Sequence, residues 1–97
     1  MSTVVIYAYL RDANGNAKSG SYGYAELIDT PYYYDGVYFS NPTERGIRST
    51  SDANGLIEWT VPQGARVRFR IDDIDLVLEK AVPISGTSTD LYDLEDL

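Results

Sequence analysis

The stretch TSDANGLIEWTVPQGARVRFRI, residues 50–71, decides the fold. Ile57, Trp59 and Val61 recur at every second position, and Val67, Phe69 and Ile71 do the same after Pro62-Gln63-Gly64. A period of two in β-branched and aromatic residues describes an extended strand with one buried face. Arg66, Arg68 and Arg70 then fall on the opposite, outward face. Asp52-Ala53-Asn54-Gly55 separates residues 46–51 from 56–61. An Asn-Gly pair between two alternating runs predicts a hairpin there. Trp59, the single tryptophan, is the expected anchor of the core, since one indole buries more apolar area than any other side chain in the chain.

Working outward from this stretch, the pattern continues in both directions. Residues 3–11 read TVVIYAYLR, with Val4, Ile6, Ala8 and Leu10 on one face and Val5, Tyr7 and Tyr9 on the other. A strand apolar on both faces belongs inside a sandwich or against a partner, unless the tyrosines simply keep their hydroxyls in water. Asp12-Ala13-Asn14-Gly15 breaks it with turn chemistry. In residues 20–28, Gly23 and Ala25 are small enough to let a second layer approach closely. Residues 74–80 alternate again, after a turn at Asp72-Asp73, and residues 82–84 could extend that strand beyond a bend at Pro83. The four-residue string Asp-Ala-Asn-Gly occurs twice, at 12–15 and 52–55, and is read as two turns of the same chemistry.

Six to eight short strands with no interior helix predict an all-β protein, a small antiparallel β-sandwich or barrel over residues 1–84. Residues 85–97, SGTSTDLYDLEDL, form an acidic tail with Leu91, Leu94 and Leu97 spaced by three. That spacing suits one or two helical turns with an apolar edge, too short to stand alone, so the tail is expected to dock on the domain or on a partner.

The chain has 97 residues and a formal net charge of −7. An acidic balance of this size argues against nucleic acid and against an anionic membrane surface as partners. No apolar run approaches the roughly 20 residues of a spanning helix. There is no cysteine, which removes disulfides and thiolate metal sites, and no histidine, which removes imidazole-based triads and ligands. No cofactor is expected. Asp72, Asp73 and Asp75 could offer oxygen ligands to Ca²⁺, or be a solvated turn, which is the preferred reading. The arginine stripe is read as pairing with acids such as Glu58, Asp75 or Glu79 on neighbouring strands. No residue constellation points to catalysis, and the protein is not expected to be an enzyme.

The opening DANGNAKSGSYGYAEL, with Asp12, Gly15 and Gly20, resembles the start of transthyretin-like modules of the carboxypeptidase regulatory type. Residues 50–71 resemble the second half of the same modules at Thr50, Gly55, Trp59, Pro62, Gly64, Val67 and Phe69, although Thr50 sits one residue early. The resemblance covers roughly the first three quarters of the chain and implies a β-sandwich. Its matching positions are turn and core positions, which carry no chemistry. The absence of histidine departs from the hydrolase branch of that family.

Two segments depart from the family pattern and are the candidate partner-binding elements. The first is DTPYYYDGVYFSNP, residues 29–42, with Tyr32, Tyr33, Tyr34, Tyr38 and Phe39. Tyrosine covers area at small entropic cost and keeps a hydroxyl for bonding, as binding surfaces require. A loop plugging an open sandwich end with rings is the equally weighted alternative. The second is the tail, through Leu91, Tyr92, Leu94 and Leu97. A small extracellular-type module without leader, disulfide or linker suggests a phage virion accessory, such as a capsid decoration (cement) protein binding a major structural protein. It would be made in the host cytoplasm, and a homo-oligomer is compatible with this reading. The alternative is a carbohydrate- or surface-binding module whose tyrosines stack on sugar rings.

Overall fold

Trp59 lies where its sequence position puts it, between two sheets. The structure, a computed structural model, describes residues 3–28 and 46–97 together with two short strand backbones at 32–34 and 37–39. Strand β1 is Thr3–Tyr9, β2 is Tyr22–Leu27, β3 is Tyr32–Tyr34, β4 is Val37–Phe39 and β5 is Ile47–Thr50. The second half holds β6 (Leu56–Pro62), β7 (Arg66–Ile71), β8 (Leu76–Ala81), β9 (Ser88–Asp90) and β10 (Glu95–Asp96). One sheet runs β6-β1-β9, the other β10-β8-β7-β2-β5, and β3 pairs with β4 alone. The chain is therefore all-β, a small β-sandwich in which antiparallel pairing dominates.

The core is the set of alternating residues named from the sequence. Val4, Ile6, Ala8 and Leu10 meet Ile57, Trp59 and Val61 on the inner face of the three-stranded sheet. Ala25, Leu27, Val67, Phe69 and Ile71 face them from the five-stranded sheet. The Trp59 and Phe69 rings lie 5.2 Å apart, tilted at 57°. The indole Nε1 donates to the carbonyl of Gly23 at 3.2 Å. A Cβ at Gly23 would sit 2.6 Å from both Ile57 Cδ1 and Trp59 Cζ2. The glycine is thus the seat of the indole, and the hydrogen bond satisfies a donor that burial would otherwise strand.

The Asn-Gly turn at 52–55 is not a hairpin, which corrects the sequence expectation. β5 pairs with β2 in one sheet and β6 with β1 in the other, so the turn carries the chain between layers. The reason is local. The Asp52 carboxylate accepts from the backbone N–H of Asn54 and of Leu56, and Asp52 N–H donates to the Leu56 carbonyl, which closes the loop on itself. Asp12 accepts from Asn14 and Asn16 N–H in the same arrangement, so the repeated tetrapeptide builds the same turn twice. Gly55, at φ +79°, lies against Leu10 O, which accepts the Lys18 N–H, while Leu10 N–H donates to the Gly55 carbonyl at 2.7 Å. The β7–β8 connection is a true hairpin, tightened by one 3-10 turn at Asp72–Ile74 with Asp75 left-handed at φ +52°.

The C-terminal segment belongs to both layers. β9 runs parallel to β1 and β10 antiparallel to β8, with a 3-10 turn at Leu91–Asp93 between them. The expected helical turns reduce to that single 3-10 turn, because strand pairing on both sides satisfies the backbone more fully than a free helix of this length would. Lys80 occupies a core-facing position of β8 and is buried; its Nζ donates to the Leu94 carbonyl at 3.3 Å and to Asp96 Oδ1 at 2.5 Å. A second buried polar knot joins Ser21 and Ser51. Ser51 Oγ accepts from Ser21 N–H and donates to the Lys18 carbonyl, while Ser21 Oγ donates to Asp73 Oδ2.

Replacing Gly23 by Ala puts a methyl group into the indole and is expected to destabilise the fold by about 1–3 kcal/mol. Denaturant titration of the purified variant checks this. An unchanged midpoint would show that Trp59 does not depend on its seat.

Candidate protein-binding surface

The tyrosine segment predicted as a contact element forms the β3–β4 pair, with Tyr32 opposite Phe39, Tyr33 opposite Tyr38 and Tyr34 opposite Val37. The side chains of Tyr32, Tyr33, Tyr34, Tyr38 and Phe39 lie outside the described residues. The tail positions divide sharply. Leu91 is fully buried and Leu94 nearly so, whereas Tyr92 and Leu97 are 57% and 53% exposed. The expectation that Leu91 and Leu94 contact a partner is corrected accordingly: they are part of the core of this chain, because the crossing from β9 to β10 turns both inward. Tyr92 N–H is held by the Asp90 carboxylate, which leaves the ring outside.

The outer face of the five-stranded sheet carries the arginine stripe. Arg68 is forked between two carboxylates, with Nε and Nη2 on Glu79 Oε2 at 2.8 Å and Nη1 on Glu26 Oε1 at 2.9 Å. Glu79 is the pairing expected from sequence; Glu26 comes from β2, and Glu58 belongs to the other sheet. Hydrogen bonds to Glu79 and Glu26 hold the Arg68 pKa above its already high ordinary value, so the guanidinium stays charged throughout the neutral range. Its neighbours differ. Arg70, opposite Tyr24 and Val77, has a buried Nε with no hydrogen-bond partner. Arg48 on β5 lies 5.2 Å over the ring of Tyr22, which is 50% exposed. Val77 is 53% exposed at the other end of this row. Arginine and tyrosine are among the residues enriched in binding hot spots. Arg48 and Tyr22 escaped the sequence reading because they meet only when β5 joins β2.

Among the described residues no three acidic side chains stand close enough to hold a metal ion. Asp73, one of the candidate Ca²⁺ ligands, is engaged by Ser21 and, at 3.9 Å, by Lys18. A shallow groove of about 360 Å³ runs along the open edges of β5 and β6, lined by Ser49, Thr50, Asp52, Leu56, Glu58 and Thr60 beside Val5. It presents no aromatic ring on which a sugar could stack.

No family model matches the chain, and no curated protein sequence matches it. Among solved structures it is similar to BcpA, the major pilin subunit of Bacillus cereus, with a TM-score of 0.56 and 14% identity over 99% of this chain and 31% of that one. An aspartate-to-alanine variant of the same pilin gives a TM-score of 0.54 and 15% identity over 92% of this chain and 28% of that one. The chain spans less than a third of the pilin's length, and at this identity the likeness is one of fold.

Leu91→Ala is expected to cost about 2–5 kcal/mol, as deletion of a buried leucine does, and to speed amide exchange along β9 and β10. Thermal unfolding with hydrogen exchange by mass spectrometry measures both. Wild-type stability in this variant would show that the tail is an appendage and not part of the core.

Proposed function

We propose that this chain is a non-enzymatic structural module that works by binding protein within a larger assembly. One observation carries the reading. The described carboxylates and hydroxyls that could do chemistry are mostly tied up in turns, the serine knot and the Arg68 fork, while the outer face of the five-stranded sheet presents Tyr22, Arg48, Arg70 and Val77 to the outside. A surface of that composition suits macromolecular recognition. The likeness in fold to a pilin subunit is in keeping with a structural role. So is the transthyretin-like pattern of turns, of a kind found in phage virion accessory proteins. In its finer form the reading makes the chain a virion component, a capsid decoration protein seated on a major shell protein, with the Tyr32–Phe39 segment and the exposed Tyr92 and Leu97 among its contacts. A sugar-binding role is less well served, since Tyr9 and Tyr22 lie on opposite outer faces and do not line one cleft.

Sedimentation of native source material, followed by mass spectrometry of each fraction, tests this. The chain is expected to pellet with megadalton particles at a fixed ratio to one major structural protein. Recovery solely as a soluble small species would overturn the assembly reading.

A further inference from the structure

We infer that the row Arg48–Tyr24–Arg70 on the outer face of the five-stranded sheet docks the acidic C-terminal segment around Asp93 and Glu95 of a second copy of this chain. The inference rests on the assembly reading above and specifies one of its contacts.

The case starts from charge. Of eight cationic side chains in the chain, four, Arg48, Arg66, Arg68 and Arg70, project from this one face, in a protein of net charge −7. Arg68 is neutralised internally by Glu26 and Glu79. Arg48 and Arg70 are not: one rests on an aromatic ring and the other keeps an unpartnered, buried Nε. They flank Tyr24 in a single cross-strand row, two strands apart, or about 10 Å. An unmade hydrogen bond at a buried donor such as Arg70 Nε is unfavourable, and an incoming carboxylate would satisfy it. Exposed Tyr22 and Val77 border the row and add apolar area to whatever docks.

The occupant follows from an account of the acids. Asp12 and Asp52 accept backbone N–H groups within their own turns, and Asp90 caps the 3-10 turn. Glu26 and Glu79 hold Arg68, Asp73 is taken by Ser21, and Asp96 by Lys80. Glu58 lies on the other sheet and Asp72 is engaged, which leaves among the described residues Asp75 in the β7–β8 turn and, two residues apart, the exposed pair Asp93 and Glu95. Two residues apart in extended chain, they stand about 7 Å from each other, within reach of two long arginine side chains. Glu95 lies on β10 and Asp93 in the turn before it, at the edge of the sheet opposite β5. With the basic row towards one edge and the acids at the other, copies can join head to tail. Such a head-to-tail contact adds copies in a line or ring. The net charge does not forbid it, because repulsion beyond about 8 Å is screened at physiological salt while contact pairs act within that distance.

Sedimentation velocity of the full chain over a range of concentrations provides the test. Mass is expected to rise with concentration past the dimer, and to fall when salt is raised from about 0.05 M to about 0.5 M. Arg48→Glu with Arg70→Glu should weaken association at least about tenfold, and so should Asp93→Lys with Glu95→Lys, made on exposed positions where folding is not at stake. Mixing the two variants sets the intact tail of one on the intact row of the other and the reversed tail on the reversed row, so the mixture should regain growth that neither variant shows alone. Combining all four changes in one chain reverses both ends and should restore growth. A chain that stays monomeric at about 1 mM overturns the inference, as do association indifferent to both sets of changes and a mixture that forms no pair. A chain that is monomeric alone yet pellets with particles would leave the assembly reading standing and remove only this contact.

Discussion

The sandwich depends on one contact, the Trp59 indole seated on the bare backbone of Gly23. It brings β6 and β2 together across the two layers, and its ring also meets Phe69 on β7. Burying an aromatic of this size is worth about 2–3 kcal/mol, and the Nε1 hydrogen bond prevents that gain from being offset by a stranded donor. The remaining core residues are aliphatic and of moderate size, so they fill the space this contact defines. A chain of 97 residues without a disulfide has few other means of fixing the distance between its sheets.

Two features close the sandwich, one at an end and one along a side. At the end, the paired Asp-Ala-Asn-Gly turns lie side by side, each shaped by its own aspartate and coupled through Leu10, Gly55 and Lys18. Along the side, the C-terminal segment passes from the edge of the three-stranded sheet to the edge of the five-stranded sheet and inserts Leu91 and Leu94 as it goes. Lys80 holds that passage by binding a carbonyl of the segment and the carboxylate of Asp96. Because Asp96 is largely exposed, the ion pair itself contributes little; the larger effect is that the buried ammonium has partners at all.

The same economy defines the surface. Among the described residues Arg68 is saturated by two carboxylates, whereas the cations Arg48 and Arg70 lack one and stand in one row beside exposed tyrosine and valine. That face is where the proposed contact with another macromolecule would be made.

The sequence alone determined the core strands and their faces. Period two at Val4–Leu10, Ile57–Val61 and Val67–Ile71 is a local property, and it remains true wherever the strands are placed. It also determined the turns, since Asp and Gly chemistry acts over four residues, and the identity of the core anchor. Tertiary structure decided which strands pair. The Asn-Gly turn reads as a hairpin locally, yet it becomes a crossing between layers because β1 takes β6 and β2 takes β5. The tail reads as a weak helix, yet it becomes two strands because open edges of β1 and β8 await it. Arg48 and Tyr22 lie 26 positions apart, and Arg68 finds Glu26 across 42 residues. Local pattern fixes which way a side chain points; only the folded chain fixes what it meets, because partners at that separation are chosen by the packing of the whole core.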